Sequence, residues 1–417
     1  TSKEPYASDP YCMPLGSWAL WVREDLLAKA GYTFTPVKEI NAKTVDQGLM
    51  PTMEDYAITP AIDTPEAFRE MLEKIQALNV KVGDSDLIPF SSIDWSQFHV
   101  GSMFDFGHWR QTDDGNVGGF IGSTGAKDYY HYLNQLYQSG LIDADFIVQT
   151  SDQLQSKIAA GRVGAGMYIG DVNSAQSALY QTVGEDASIR FIPWPKADDS
   201  GLGAYDIFEA GFWRVIIRSD MEREKKERLI EYFDWFLSDE GMDVCSWGPA
   251  EAGLYTTDEN GVRHFVDETT QNDMLNSVSN GKGADYYGLY NYNYSSYYKF
   301  LNKAAACAPT LNNYNPYDPA RTAAPHLNSL NLNKAICALG GYDMSGRYAY
   351  GDGTDTVASV SSWYWSKFTG ELVAPILTAA SEEEFNTAWD DMYEEFLDDT
   401  DYEDAVENMT KWFAENR

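Results

Sequence analysis

The sequence predicts an α/β fold, and three observations carry that prediction. Two helical stripes run into a short apolar strand between Gly118 and Ala175. Further short apolar runs alternate with helical stripes on either side of that stretch. The chain is also long and apolar enough to bury a core: it has 417 residues, 44% of them hydrophobic and 14% aromatic, the composition of a globular chain of two or three domains.

Within the central stretch, Tyr129, Tyr132, Leu133, Leu136 and Tyr137 recur at helical spacing and form one apolar stripe. Gly140 stands where a helix C-cap belongs. The segment LIDADF reads as a loop. A second helix begins near Asp152, carries Leu154 and Ile158 four residues apart, and stops at Gly161. Val163 to Ile169 is a short apolar run rich in small residues, as a buried strand requires.

Before this stretch, Trp18 to Val22 reads as a strand, and Arg23 to Ala30 as a helix ended by Gly31. Thr33 to Ile62 contains Pro36, Pro51 and Pro60 and no sustained period, so it reads as a long connection. Thr64 and Pro65 open a helix as N-cap and first turn, and Phe68, Met71, Leu72, Ile75 and Leu78 form its apolar face. Leu87 to Phe90 is the next strand. Asp94 to Trp109 is an aromatic loop, and Gln111 to Asn116 turns a hairpin through its Asp-Gly pair.

After it, Ile189 to Pro195 and Asp206 to Ile217 read as strands. Glu222 to Leu237 is a helix with Leu229, Phe233, Phe236 and Leu237 on one face. The segment EAGLYTTDENGVRHFVDE is a hairpin. Asp285 to Tyr350 is rich in Tyr and Asn with little period, too aromatic for a disordered tract. From Trp363 onward the chain is helical. Ser381 and Glu384 have capping-box spacing, Phe385, Ala388, Trp389, Met392 and Phe396 form one stripe, and Val406, Met409, Trp412 and Phe413 form the last.

The formal net charge of -34 argues against nucleic acid and against an anionic membrane surface, both of which attract basic footprints. No window approaches the length of a transmembrane helix. The four cysteines, Cys12, Cys245, Cys307 and Cys337, show no zinc spacing, and Cys307 with Cys337 is open to a local disulfide or to free thiols. The histidines show no ligand spacing either, GDGTDT at 351–356 reads as a turn, and no nucleophile, phosphate-loop or metalloprotease motif occurs. No cofactor or metal is expected.

The organising stretch, with its GLID turn and its GRVGAGMYIGD run, resembles the second lobe of the family 1 extracellular solute-binding proteins of ABC importers. WALWVREDLLAKAGY resembles the strand by which that family leaves its first lobe, and TPEAFREMLEKI the helix that follows. LIEYFDWFLSDEGMDVCSWG and the hairpin after it carry the most specific likeness, since helix, turn, glycine and hairpin come in order. The resemblance implies a periplasmic-binding-protein-like (type II) α/β fold with two lobes and a hinge, in the aldouronate-type lipoprotein branch. Residues 1–21 with 211–353 would form lobe one, and 22–210 with 354–417 lobe two. Lobe one is expected to be incomplete, because the family carries about a hundred residues before its first crossing strand and this chain about seventeen. KVGDSD at 81–86 stands where relatives carry an acidic calcium loop but lacks that pattern, so no cation is carried over.

The resemblance further implies an extracellular cell-surface lipoprotein, or a periplasmic protein, that is a monomer, meets the membrane only through a lipid anchor absent from this chain, captures an oligosaccharide between its lobes and delivers it to a permease. A sugar ring has an apolar face that a flat aromatic covers, and a polar rim that charged and amide groups bond in two-pronged fashion. Aromatics mixed with such groups at strand ends and loops are therefore the candidates: Trp95, Trp109 with Arg110, Tyr168 with Asp171 and Asn173, Trp213 with Arg214, Trp247 with Glu251, and Trp365 with Phe368. Trp21, Trp235, Trp389 and Trp412 read as core, and Trp18 and Trp194 are open to either role. Carboxylates are too numerous for residue type to exclude a glycan-processing hydrolase or lyase, and a peptide or another small solute is a further alternative ligand.

Overall fold

The computed structural model describes residues 18–40, 54–93, 100–112, 115–168, 172–197, 206–207, 217–236, 238, 240–241, 249–257, 263–267, 269–270, 342–343 and 348–416. The chain divides into two compact units. The larger comprises Ser17–Ile40, Pro51–Phe208 and Ala338–Arg417, and the smaller Thr1–Gly16, Asn41–Met50 and Glu209–Cys337.

The larger unit is built on a four-stranded sheet of β1 (Trp18–Arg23), β2 (Ile88–Ser91), β3 (Val163–Tyr168) and β4 (Ile189–Phe191), in the order β4-β1-β3-β2. β1 runs antiparallel to both neighbours, and β2 runs parallel to β3. The expected lobe division cuts after Trp21, within this strand. In the structure β1 lies whole in the larger unit, because both of its edges are paired there.

Burial on both faces explains the apolar runs. Leu20, Trp21, Val22, Phe90, Ala165 and Met167 are fully buried. The glycines of β3 make room for neighbours: a Cβ on Gly164 would lie 3.0 Å from the Pro89 carbonyl oxygen and 3.1 Å from Leu26.

The connection from β2 to β3 carries the helices Ala126–Gln138 and Ser151–Ala159. Before it, α1 (Pro65–Ala77) is capped by Thr64, whose hydroxyl accepts the Ala67 N–H at 3.1 Å, and Phe68 meets Phe90 of β2 edge-on at 5.5 Å. Phe68, Met71, Leu72 and Ile75 are buried as the period predicts, and Leu78 is half-buried at the C-cap. α2 (Ala126–Gln138) buries Tyr129, Tyr132, Leu133 and Leu136 of the expected stripe, and Tyr130 and Asn134 besides. Asn134 is used as a cap for another element: its amide donates to the carbonyls of Leu377 (2.9 Å) and Ala379 (2.8 Å), ending the helix Val373–Thr378. α3 (Ser151–Ala159) opens with a capping box between Thr150 and Gln153 and stops at Gly161, whose φ of +74° suits glycine. α4 (Val172–Thr182) follows β3 and packs on α3.

The Thr33–Ile62 connection is less open than expected, since Thr33–Phe34 pairs antiparallel with Ile58–Thr59. Of the expected 206–217 strand, Asp206–Ile207 pairs in parallel with Tyr342–Asp343, Ile217 lies in no strand, and the residues between lie outside the described ones. At the C-terminal side, Asp355–Trp363 is α-helical, Tyr364–Leu372 is a π-helical segment, and Val373–Thr378 returns to the α form. In the GDGTDT turn, Asp352 accepts from the Thr354 N–H and hydroxyl, and Thr354 caps the helix. α5 (Glu382–Asp399) and α6 (Tyr402–Asn416) complete the unit, with Phe385, Trp389, Met392, Phe396, Met409 and Phe413 buried and Trp412 half-buried. The capping box at Ser381 closes only halfway: Ser381 accepts the Glu384 N–H, but the Glu384 carboxylate takes the N–H of Ala380.

One end of the sheet holds buried charge. Arg190 of β4 is fully buried and pairs with Glu24 at 3.0 Å, and the Val37 N–H donates to the same carboxylate oxygen at 2.9 Å. The guanidinium lies 5.1 Å from the Phe34 ring centroid. Arg23 makes a two-pronged bond to Asp25 and donates to the Gly161 carbonyl at 2.6 Å. Burial raises the Glu24 carboxyl pKa, with Arg190 opposing it.

In the smaller unit, Arg223–Phe236 is helical and Tyr255–Thr257 pairs with Arg263–Phe265 as the expected hairpin. Trp235 departs from its core assignment, being 38% exposed. It stands two residues from half-buried Phe233, about 200° around the helix, and so on the opposite face. Cys12, Cys245, Cys307, Cys337 and nearly all of the Tyr-rich segment 285–350 lie outside the described residues.

Candidate functional site

In open α/β sheets, ligands bind beyond the carboxyl ends of the parallel strands. Here that rim is formed by Ser91 at the end of β2 and Tyr168 at the end of β3, with Trp18 of β1 directly across from Tyr168. Tyr168 and Asn173 flank the turn from β3 into α4, so Asn173 lies in the first turn of the helix, where unpaired backbone N–H groups face outward. Trp95 and Asp171, the other residues expected at this rim, lie outside the described residues, as do Trp213, Arg214 and Trp247.

Beneath the rim is a polar cluster that sequence reasoning did not single out. Gln149 donates its amide to the Ser92 carbonyl at 2.5 Å and to the Ser91 hydroxyl at 3.0 Å. Ser91 donates in turn to Asp143 Oδ2 at 2.7 Å, and Lys157 Nζ reaches the same carboxylate oxygen at 2.7 Å. Ser91, Ser92, Asp143 and Gln149 are all at least nine-tenths buried. Burial pulls the Asp143 pKa upward, but the hydrogen bonds from Lys157 and Ser91 outweigh it and hold the carboxyl below its usual value. The Asp143 N–H also donates to the Phe90 carbonyl, which stitches the GLID turn to β2. Asp143 sits inside a quoted motif, yet its partners are scattered along the chain at no regular spacing, so no local signal joins them.

The other candidates separate by exposure. Trp109 is fully buried, stacked on Tyr402 at 5.8 Å between centroids and edge-on to Phe120, so neither face of its indole is open to a solute. Arg110 beside it is buried and ion-paired with Asp105. Phe368 is likewise sealed, stacked on Tyr364 at 5.3 Å and edge-on to Tyr130 at 5.0 Å. Trp109 and Arg110 lie in the strand Trp109–Gln111 and Phe368 in the π-helical segment, and packing turns all three into the core.

Trp365 is different. It is 39% exposed and set edge-on to Tyr364 at 4.9 Å. The π-helical segment that carries it is tied to α5 by Lys367, which pairs with Asp399 and Glu395, and the helix before it by the Trp363 indole N–H, which donates to Asp399 at 3.0 Å. π-Helical turns are rare and frequent at functional positions. Glu251, in the smaller unit, is exposed on the short turn Ala250–Ala252.

Among the described residues there is no group of three or more His, Cys, Asp or Glu side chains that would hold a metal. Among them, too, no helix is long and apolar enough to cross a membrane.

This sheet order, with an antiparallel strand inserted beside a parallel pair and helices packed around it, defines a periplasmic-binding-protein-like α/β fold, and solved structures match it over nearly the whole chain. The HMO-binding, ABC-transporter-associated solute-binding protein from Bifidobacterium longum infantis matches with a TM-score of 0.57 at 15% identity, covering 97% of this chain and 74% of that one. The S. pneumoniae ABC-transporter substrate-binding protein FusA, in complex with kestose, matches at 0.53 with 14% identity over 99% and 74%. The alginate-binding protein AlgQ2 matches at 0.53 with 14% identity over 96% and 73%. No protein-family model matches the sequence, and no curated protein sequence matches it.

Proposed function

We propose that this protein is the extracellular solute-binding component of an ABC importer, that it captures an oligosaccharide, and that it hands it to the permease without chemical change. The observation that carries the reading is the fold: it is shared with proteins described as binding HMO, kestose and alginate. Two features support the sugar class: exposed Trp365 offers a flat ring, and Tyr168 and Asn173 stand where strand gives way to helix. Trp95, Asp171, Trp213, Arg214, Trp247 and Glu251 belong to the same proposal on their sequence context. Capture requires no bond to be made or broken; differential affinity for a closed state supplies the work. A lipid anchor, a monomeric state and the aldouronate-type branch complete the reading.

A thermal-shift screen against kestose, human-milk oligosaccharides and alginate fragments tests it. A binder present at a hundredfold excess over its Kd stabilises the folded state by about 2.7 kcal/mol. Flat melting curves across the panel would remove the carbohydrate reading, and release of shortened products would replace it with a glycan-processing enzyme.

A further inference from the structure

β2 is an edge strand of the four-stranded sheet, with β3 on one side only. An edge strand leaves backbone groups without strand partners. Here the free edge is covered in two ways. The Phe90 N–H donates to the Leu141 carbonyl at 3.0 Å, and the Phe90 carbonyl accepts the Asp143 N–H at 2.8 Å. Beyond Ser91, where the ladder ends, the Gln149 side chain takes over by donating to the Ser92 carbonyl and the Ser91 hydroxyl. Ser91 passes the constraint on to Asp143, and Lys157 of α3 holds Asp143 in place. One buried amide therefore fixes two successive residues at the end of the strand. Its own carbonyl oxygen Oε1 is buried with no partner among the described residues, so the amide orientation is set by its donors alone.

The strand end so fixed is the rim described above, at the carboxyl ends of the parallel strands β2 and β3. We propose that Gln149 is a positioning residue for solute binding: it immobilises Ser91 and Ser92 and thereby sets where the chain leaves the sheet toward the ligand. This rests on the solute-binding reading. Core packing alone would give Gln149 no reason to be an amide, since leucine fills a similar volume, whereas a positioning role requires its two N–H donors.

Two variants remove those donors. Gln149→Leu removes all polarity, and Gln149→Glu keeps the shape and, as a carboxylate, donates nothing. Leu154→Ala, which opens a cavity at α3 and removes none of the cluster's hydrogen-bonding groups, is the control for lost stability. Hydrogen exchange on the unliganded protein reads the strand end directly. In both Gln149 variants the Phe90 and Asp143 amides should exchange about tenfold faster than in wild type, while the Leu20 amide in β1 stays as protected as before. Titration then reads function. For the member of the kestose, milk-oligosaccharide and alginate panel that binds wild type most tightly, both Gln149 variants should raise Kd about tenfold, and Leu154→Ala should leave it unchanged despite its lower Tm. Unchanged exchange at Phe90 and Asp143, or an unchanged Kd in a variant whose wild type binds, overturns the proposal. Absence of any binding by wild type overturns the solute-binding reading instead, and the exchange result still decides whether Gln149 fixes the strand end.

Discussion

Gly166 of β3 lies under the indole of Trp21 on β1: a Cβ at the glycine would come 2.7 Å from the Trp21 ring and 2.9 Å from the Ser91 carbonyl oxygen. The contact explains why the most buried strand of the sheet is built from small residues. Trp21 takes the space, and its neighbour must concede it. Gly166→Ala should therefore destabilise the larger unit by about 1–3 kcal/mol through overpacking, read as a lower urea midpoint. Trp21→Phe in the same chain should recover part of that loss, because the two positions share one volume.

The Arg190–Glu24 pair yields a second expectation. Both groups are buried, and removal of one leaves the other's charge without its counter-ion. Arg190→Met should cost about 3–5 kcal/mol in chemical denaturation, while Glu24→Met with Arg190→Met together should cost much less. A double variant as unstable as the single one would show that the other hydrogen bonds of Arg190, such as that to the Thr35 carbonyl at 2.8 Å, outweigh the ion pair.

Asp143 sets a pH dependence. Its pKa in the folded protein lies below its ordinary value, so the carboxylate contributes stability above the ordinary carboxylate range. That contribution is lost as pH falls toward and through the folded pKa. Between about pH 5 and pH 2.5, the denaturation midpoint of wild type should drop more steeply than that of Asp143→Asn. Parallel slopes would mean that the Lys157 and Ser91 bonds do not select the charged form.

Trp365 and Trp109 should behave oppositely. Trp365→Ala removes an exposed ring and should weaken oligosaccharide binding by about 1–2 kcal/mol with little change in melting temperature. Trp109→Ala opens the packing against Tyr402 and should cost about 3–5 kcal/mol of stability. Calorimetric titration of both, alongside their melting curves, separates the two roles.

The fold was legible where physics is local. The Thr64–Pro65 helix start, the stripe of α2, the Gly140 and Gly161 stops and the β1 and β3 strands follow from caps, periods and breakers that act within a few residues. What the sequence hid was long-range. Nothing near Trp109 announces that Tyr402 will cover it, and nothing near Phe368 announces Tyr130. An aromatic beside a charged residue reads alike whether a solute or another helix meets it, so Trp365 and Trp109 could be told apart only by their surroundings. The Gln149 cluster was hidden for the same reason: its members are ordinary polar residues until the sheet edge brings them together. Trp235 failed in the other direction, because apolarity was weighed without its angle around the helix.

The placement of β1 has a consequence for how the chain is made. An early segment of the sequence occupies an interior slot of the sheet, and both strands that flank it arrive far later. During synthesis, both edges of β1 therefore wait for β3 and β4 to leave the ribosome, and local helices such as α1 and α2 are free to form first. Insertion of β1 between two strands so distant in sequence is a non-local step, of the kind that follows local helix formation.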